Sequence, residues 1–135
     1  MQISRRNILG LAVAGAMAMV SLPAMAGNVV EYDDASLQTA VNTGEPYLLD
    51  FSATWCGTCK AQERVLDALQ AENAAYNGIQ VLRVDWDTHR SGPLVSTLAI
   101  PRRSTLVMMQ GQTELGRIVA GTSRGQIQAL MDLGL

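Results

Sequence analysis

The chain is poor in the residues that build several kinds of site. Of 135 residues, two are cysteine, one is histidine and one is lysine, and charged side chains make up only 16%. No run of like charge occurs, so neither a nucleic-acid groove nor a polybasic membrane patch has the electrostatic footprint it needs. There is no second cysteine pair, and His89 is the only histidine, which leaves the second half of a tetrahedral zinc site without ligands. A c-type haem attachment site would need histidine where Lys60 stands. No internal repeat, low-complexity tract or linker divides the chain, and its length suits one hydrophobic core.

What is present starts with an export pattern. "SRRNILGLAVAGAMAMVSLPAMA" combines two arginines, a small-residue apolar stretch and the ending Ala24-Met25-Ala26, which reads as a cleavable signal peptide over residues 1–26. The apolar stretch from Ile8 to Leu22 is shorter than the roughly 18–20 residues a membrane-spanning helix needs, so no permanent anchor is expected. Ser4-Arg5-Arg6-Asn7-Ile8-Leu9 resembles the twin-arginine motif that carries folded bacterial proteins across the inner membrane; the general secretory route is the alternative. The expected location is the periplasm. Removing residues 1–26 takes Arg5 and Arg6, leaving 8 basic residues of 10 against 12 acidic ones, a mature chain about four charges negative.

Residues 27–135 read as one domain. "NVVEY" is a short strand, and "DDASLQTAVNTG" places Leu37, Ala40 and Val41 on one face of a short helix. "PYLLDFSA" is apolar enough for a strand buried on both faces, which makes Asp50 within it conspicuous. From Cys56 to about Tyr76 a helix turns Ala61, Val65, Leu66 and Leu69 inward and Lys60, Glu63, Arg64, Asp67 and Gln70 outward. "IQVLRVDW" is a strand, "SGPLVSTLA" a short helix with Pro93 in its first turn, and "STLVMMQ" and "ELGRIVA" two more strands. Ser123 to Gln126 fits a capping box opening a last helix, "QIQALMDLG". The order β-α-β-α-β-α-β-β-α predicts an α/β fold, a central mixed β-sheet flanked by helices on both faces.

Cys56 and Cys59 lie in "ATWCGTCK", at the mouth of a helix. Free backbone amides and the positive end of the helix dipole favour thiolate over thiol there. Cys59, three residues on, lies over the same turn and can attack a mixed disulfide formed by Cys56. Two cysteines in an exported chain ordinarily suggest a structural bridge, but so small a loop would stabilise little. The competing accounts are half a metal site and an inert pair.

"DFSATWCGTCK", a Trp-Cys-x-x-Cys-Lys motif after a buried strand, is similar to the hallmark of the thioredoxin superfamily. The resemblance covers essentially residues 27–135 and implies a thioredoxin fold. It also implies a thiol-disulfide oxidoreductase without an organic cofactor. It makes Cys56 the nucleophile, Cys59 the resolver and Asp50 the buried acid that helps deprotonate Cys59; burial independently argues for a raised Asp50 pKa. Trp55 would shield the dithiol and contact substrate, and Lys60 would favour the Cys56 thiolate.

Three departures stand out. Ser52 replaces the motif's first tryptophan, and Thr58 the proline common between the cysteines. The family's cis-proline, followed by threonine and an apolar strand, meets "AIPRRSTLVMM" here. Matching "STL" puts Ser104 at that position before Thr105; matching "IP" puts Pro101 there. A cis bond before a non-proline residue costs ~2.5–4 kcal/mol, so with Ser104 the loop bears that strain or turns trans. Arg103, Ser104 and Thr105 form the expected substrate loop, and Arg102 and Arg103 would add a positive field. Thr58 leaves the potential open between a reductant and a mild oxidant; the favoured direction is reduction of disulfide-bearing exported proteins, by a monomer that draws electrons from a membrane donor protein. The alternative is a copper(I) carrier using both thiolates, with Ser104 admitting an ion that proline would exclude.

Overall fold

The computed structural model describes residue 15 and residues 28–135; apart from that one residue, the signal peptide expected over residues 1–26, and the anchor weighed against it, lie outside the described residues. Five strands form one sheet: β1 (Val29–Glu31), β2 (Pro46–Ser52), β3 (Gln80–Asp85), β4 (Thr105–Gln110) and β5 (Thr113–Val119). Their spatial order is β1-β3-β2-β4-β5. The first three strands run parallel, and β4 and β5 are antiparallel to their neighbours. The helices are α1 (Asp34–Thr43), α2 (Gly57–Glu72), α3 (Trp86–His89), α4 (Pro93–Thr97) and α5 (Arg124–Asp132).

Strand alternation divides the core in two. Leu48, Leu106 and Met108 pack with Leu66, Leu69, Ile127 and Met131 beneath α2 and α5. Tyr47, Leu49, Phe51, Val107 and Met109 pack on the opposite face with Ala40 of α1 and Val95 of α4. This is the mixed sheet with helices on both faces that the apolar patterning predicts. It also explains the apolar run of β2, since a central strand must satisfy both layers.

Several local expectations are corrected. The strand read through Trp86 ends at Asp85, whose carboxylate accepts from the Thr88 amide 3.1 Å away and so caps α3; His89 closes that short helix and meets Tyr32 edge-on. The long helix stops at Glu72 rather than near Tyr76, because the Asn73 side chain accepts from the Ala75 amide and starts a 3-10 turn over Ala74–Gly78. Gln70, expected outward, is buried, as is Gln62. The Ser123 side chain makes no cap bond, and the Gln126 side chain that would reach back to it lies over Gly121 instead. The capping box that does form joins Asp33 and Ser36 at the start of α1.

Candidate active site

The β2–α2 junction builds the site. Cys56 is the N-cap of α2, with extended backbone, and its Sγ accepts from the Cys59 amide at 3.2 Å. Cysteine thus takes the place usually held by serine or aspartate, so an orphan helix donor points at the reactive sulfur. Cys56 and Cys59 are joined as a disulfide, with Cα atoms 5.3 Å apart, and both are buried. Ala53 and the half-buried Trp86 pack against them.

Asp50 lies on β2 opposite Arg83 of β3 and on the same face as Leu48, the face that α2 covers. Its pKa is raised to about 7, chiefly by desolvation; Arg83 opposes the rise, and Glu63 and Glu31 add to it. Arg83 explains why the rise is only partial. Its Nε is 4.0 Å from the Asp50 Oδ2, while its Nη2 donates to Glu63 of α2 at 2.7 Å. The cation therefore spends its best hydrogen bond on Glu63 and leaves Asp50 poised near neutrality, where proton transfer is most useful.

Trp55 is 57% exposed beside the dithiol. Its Nε1 donates to Asp87 at 2.8 Å, and the Arg103 guanidinium lies 4.6 Å from its ring centre. These contacts hold a flat aromatic surface facing solvent. Lys60 is exposed in the first turn of α2, and its amide donates to the Cys56 carbonyl. Arg102 folds back on its own loop, with Nε 3.1 Å from the Arg103 carbonyl.

Ser104 is the loop residue that reaches the sulfurs; Pro101 is exposed. The Ser104 Oγ is 3.1 Å from each of Cys56 Sγ and Cys59 Sγ, and the residue is 0% exposed. No cis peptide bond occurs among the described residues, and the loop turns at Ser104 through a left-handed backbone, φ 60°. Such a φ costs a non-glycine residue ~1–2 kcal/mol. Three hydrogen bonds hold it: Ser104 N–H to the Phe51 carbonyl at 2.7 Å, and the Ser104 carbonyl from Ala120 N–H at 2.8 Å and Gln62 Nε2 at 2.9 Å. Thr105 is buried too, its hydroxyl donating to the Arg102 carbonyl. The two hydroxyls thus face the sulfurs and the loop, while Trp55 and the half-buried Arg103 present the solvent-facing surface.

Sequence reasoning left Gln62 out. Its signal was its spacing, three residues after Cys59 on the buried face of α2, and its polarity hid that signal. Apart from the cysteine pair and its N-cap geometry, the structure brings together Asp50, Arg83 and Glu63 on one side and Ser104, Gln62 and Ala120 on the other.

The family model described as Thioredoxin matches residues 28–133. The chain belongs to the thioredoxin family. It is 32% identical over 106 residues to the thioredoxin of Mycobacterium bovis, covering 77% of this chain and 85% of that one. It is 34% identical over 110 residues to the bifunctional thioredoxin reductase/thioredoxin of Mycobacterium leprae, covering 80% of this chain but only 22% of that much longer protein. Among solved structures, Trxlp from Edwardsiella tarda EIB202 is 33% identical, with a TM-score of 0.65, covering 78% of this chain and 97% of that one. The chain is therefore a thioredoxin-like thiol-disulfide oxidoreductase with Cys56 and Cys59 as its redox pair.

Proposed function

We propose that this thioredoxin-like protein works in the periplasm as a reductase of disulfides in exported proteins. The observation that carries the reading is the Cys56–Cys59 pair at the N-terminus of α2, with the Cys59 amide on the Cys56 sulfur. In the forward direction the Cys56 thiolate attacks a client sulfur, a Cys56–client disulfide forms, and the first client sulfur leaves with the electron pair and takes a proton from solvent. Cys59 gives its proton to Asp50, and its sulfur attacks Cys56 Sγ. The enzyme disulfide closes and the second client thiolate leaves. Two electrons pass from enzyme to client, while the Cys59 proton stays on Asp50 and the client sulfurs draw their protons from solvent. A dithiol donor resets the enzyme by the reverse exchange, and across a membrane that donor is a membrane protein.

The twin-arginine pattern at Arg5 and Arg6 and the Ala24-Met25-Ala26 ending support export. The reductase direction predicts a potential towards the strongly reducing end when the dithiol is equilibrated with glutathione. A value at the oxidising end reverses the direction. Mixed disulfides trapped on Cys59→Ser in periplasmic extracts identify the clients, and absence of the protein from that fraction overturns the location.

A second reading takes both thiolates of the reduced pair as ligands for a soft cation, with Ser104, whose hydroxyl is 3.1 Å from each sulfur, leaving the approach open that proline would block. Copper(I) retained in stoichiometric amount after purification, without insulin reduction, favours this carrier role.

A further inference from the structure

Ser104 contributes a hydroxyl to the reacting atoms, and its environment is built to aim it. The Oγ is equidistant from the two sulfurs, at 3.1 Å, in a pocket closed to solvent. A serine hydroxyl has one proton to donate, and either sulfur lies within its reach. We propose that the Ser104 hydroxyl is a catalytic hydrogen-bond donor shared between the sulfurs, passing to whichever one carries negative charge. The inference rests on the redox reading above and adds a residue to it.

The chemistry follows from the exchange steps. Before attack on a client the charge sits on Cys56, which receives the Cys59 amide and the Ser104 hydroxyl together. When a donor thiolate opens the enzyme disulfide at Cys56 Sγ, the bond to Cys59 breaks and Cys59 leaves with the electron pair. No helix amide is recorded on the Cys59 sulfur among the described residues, so Ser104 is its donor in that step. The hydroxyl rotates about its Cβ–Oγ bond and gives up no proton. A hydrogen bond to a charged acceptor is roughly twice as strong as one to a neutral acceptor, so the contact favours the thiolate over the disulfide.

The backbone explains how the donor is held. The left-handed φ at Ser104 is fixed from both sides, its N–H on Phe51 and its carbonyl on Ala120 and Gln62. Gln62 is buried on α2 one turn beyond Cys59, and its Nε2 reaches both the Ser104 and Gly121 carbonyls at 2.9 Å. It ties the serine loop to the helix that carries the cysteines. Its Oε1 has no partner, so the amide bears a desolvation cost for this bridge. Gln62 is a positioning residue.

The test uses reduced wild-type protein, Ser104→Ala and Ser104→Gly. Glycine removes the hydroxyl while relieving the left-handed backbone, so it covers the case in which alanine fails to fold. The readout is the pH dependence of Cys56 alkylation by iodoacetamide, with no client present. Losing a hydrogen bond to a charged group raises the Cys56 midpoint by about one pH unit in both variants, a roughly tenfold loss of thiolate below the midpoint. Above both midpoints the reduced form is destabilised by the same factor, so there the potential against glutathione moves about 30 mV in the reducing direction. Gln62→Leu moves the midpoint the same way by less, and a wild-type midpoint there removes the positioning role. Wild-type titration in the folded Ser104 variants overturns the proposal. Failure of the wild type to turn over any disulfide overturns the redox reading instead, and the two failures are separate measurements.

Discussion

Replacing Asp50 by asparagine should stabilise the oxidised protein above neutral pH and abolish most of its pH dependence below it. In the folded chain the Asp50 pKa is raised from 3.8 to about 7, mainly because burial penalises the carboxylate. Between those values the folded state holds a proton that the unfolded state has released. Stability therefore falls as pH rises through that window. At ~1.36 kcal/mol per pH unit the full fall is about 4 kcal/mol, complete once the pH exceeds the folded pKa. Asparagine removes this charge-burial cost but leaves a buried amide with incomplete partners, at about 1–3 kcal/mol. The net gain at pH 8 is then roughly 1–3 kcal/mol, shrinking to about zero near pH 5 and reversed near pH 4. Urea unfolding of both oxidised proteins at several pH values from 5 to 9 measures the difference directly. Parallel stability curves, or a wild type that gains on Asp50→Asn as pH rises, would refute the desolvation argument.

Glu63→Gln removes a charge that raises the Asp50 pKa and frees Arg83 to turn towards it, so the Asp50 titration followed by carboxyl NMR should move below about 7; an unchanged or higher value contradicts the network. Arg102→Gln with Arg103→Gln should lower kcat/KM on acidic peptides severalfold at low salt, with the difference vanishing at high salt; equal ratios at all salts dispose of the field. At Gly134 an added Cβ would meet Ile79 Cδ1 at 2.9 Å and Met108 Sδ at 3.0 Å. Gly134→Ala should therefore cost about 1–3 kcal/mol and lower Tm, and an unchanged Tm would mean that this corner yields freely.

The apolar runs were legible because strand alternation and helix spacing leave direct marks. "YLLDF" announces a strand with two buried faces, and Leu66 and Leu69 announce the inner face of α2. The cysteine spacing placed both sulfurs over one helical turn. What escaped reading depends on tertiary partners. Gln62 and Gln70 look like surface residues until the elements around them are assembled. Asp85 continues an alternating strand in the sequence, yet its carboxylate starts a helix. Ser123 and Gln126 carry a capping pattern, but the Gln126 side chain lies against a neighbouring turn. Nothing about serine announces the sign of φ, so the conformation of the 104 loop came only from its three hydrogen-bond partners, the Phe51 and Ala120 backbones and the Gln62 side chain.

Proline at position 104 is not a simple exchange in this background. Its ring fixes φ near −65°, on the other side of zero from the backbone found there, and it has no N–H to give the Phe51 carbonyl. The peptide plane on each side would have to turn over, carrying Ala120 and Gln62 with it. A mutational route between a serine-type and a proline-type loop therefore passes through several coordinated changes, and the surroundings of residue 104 have to be transplanted together with it.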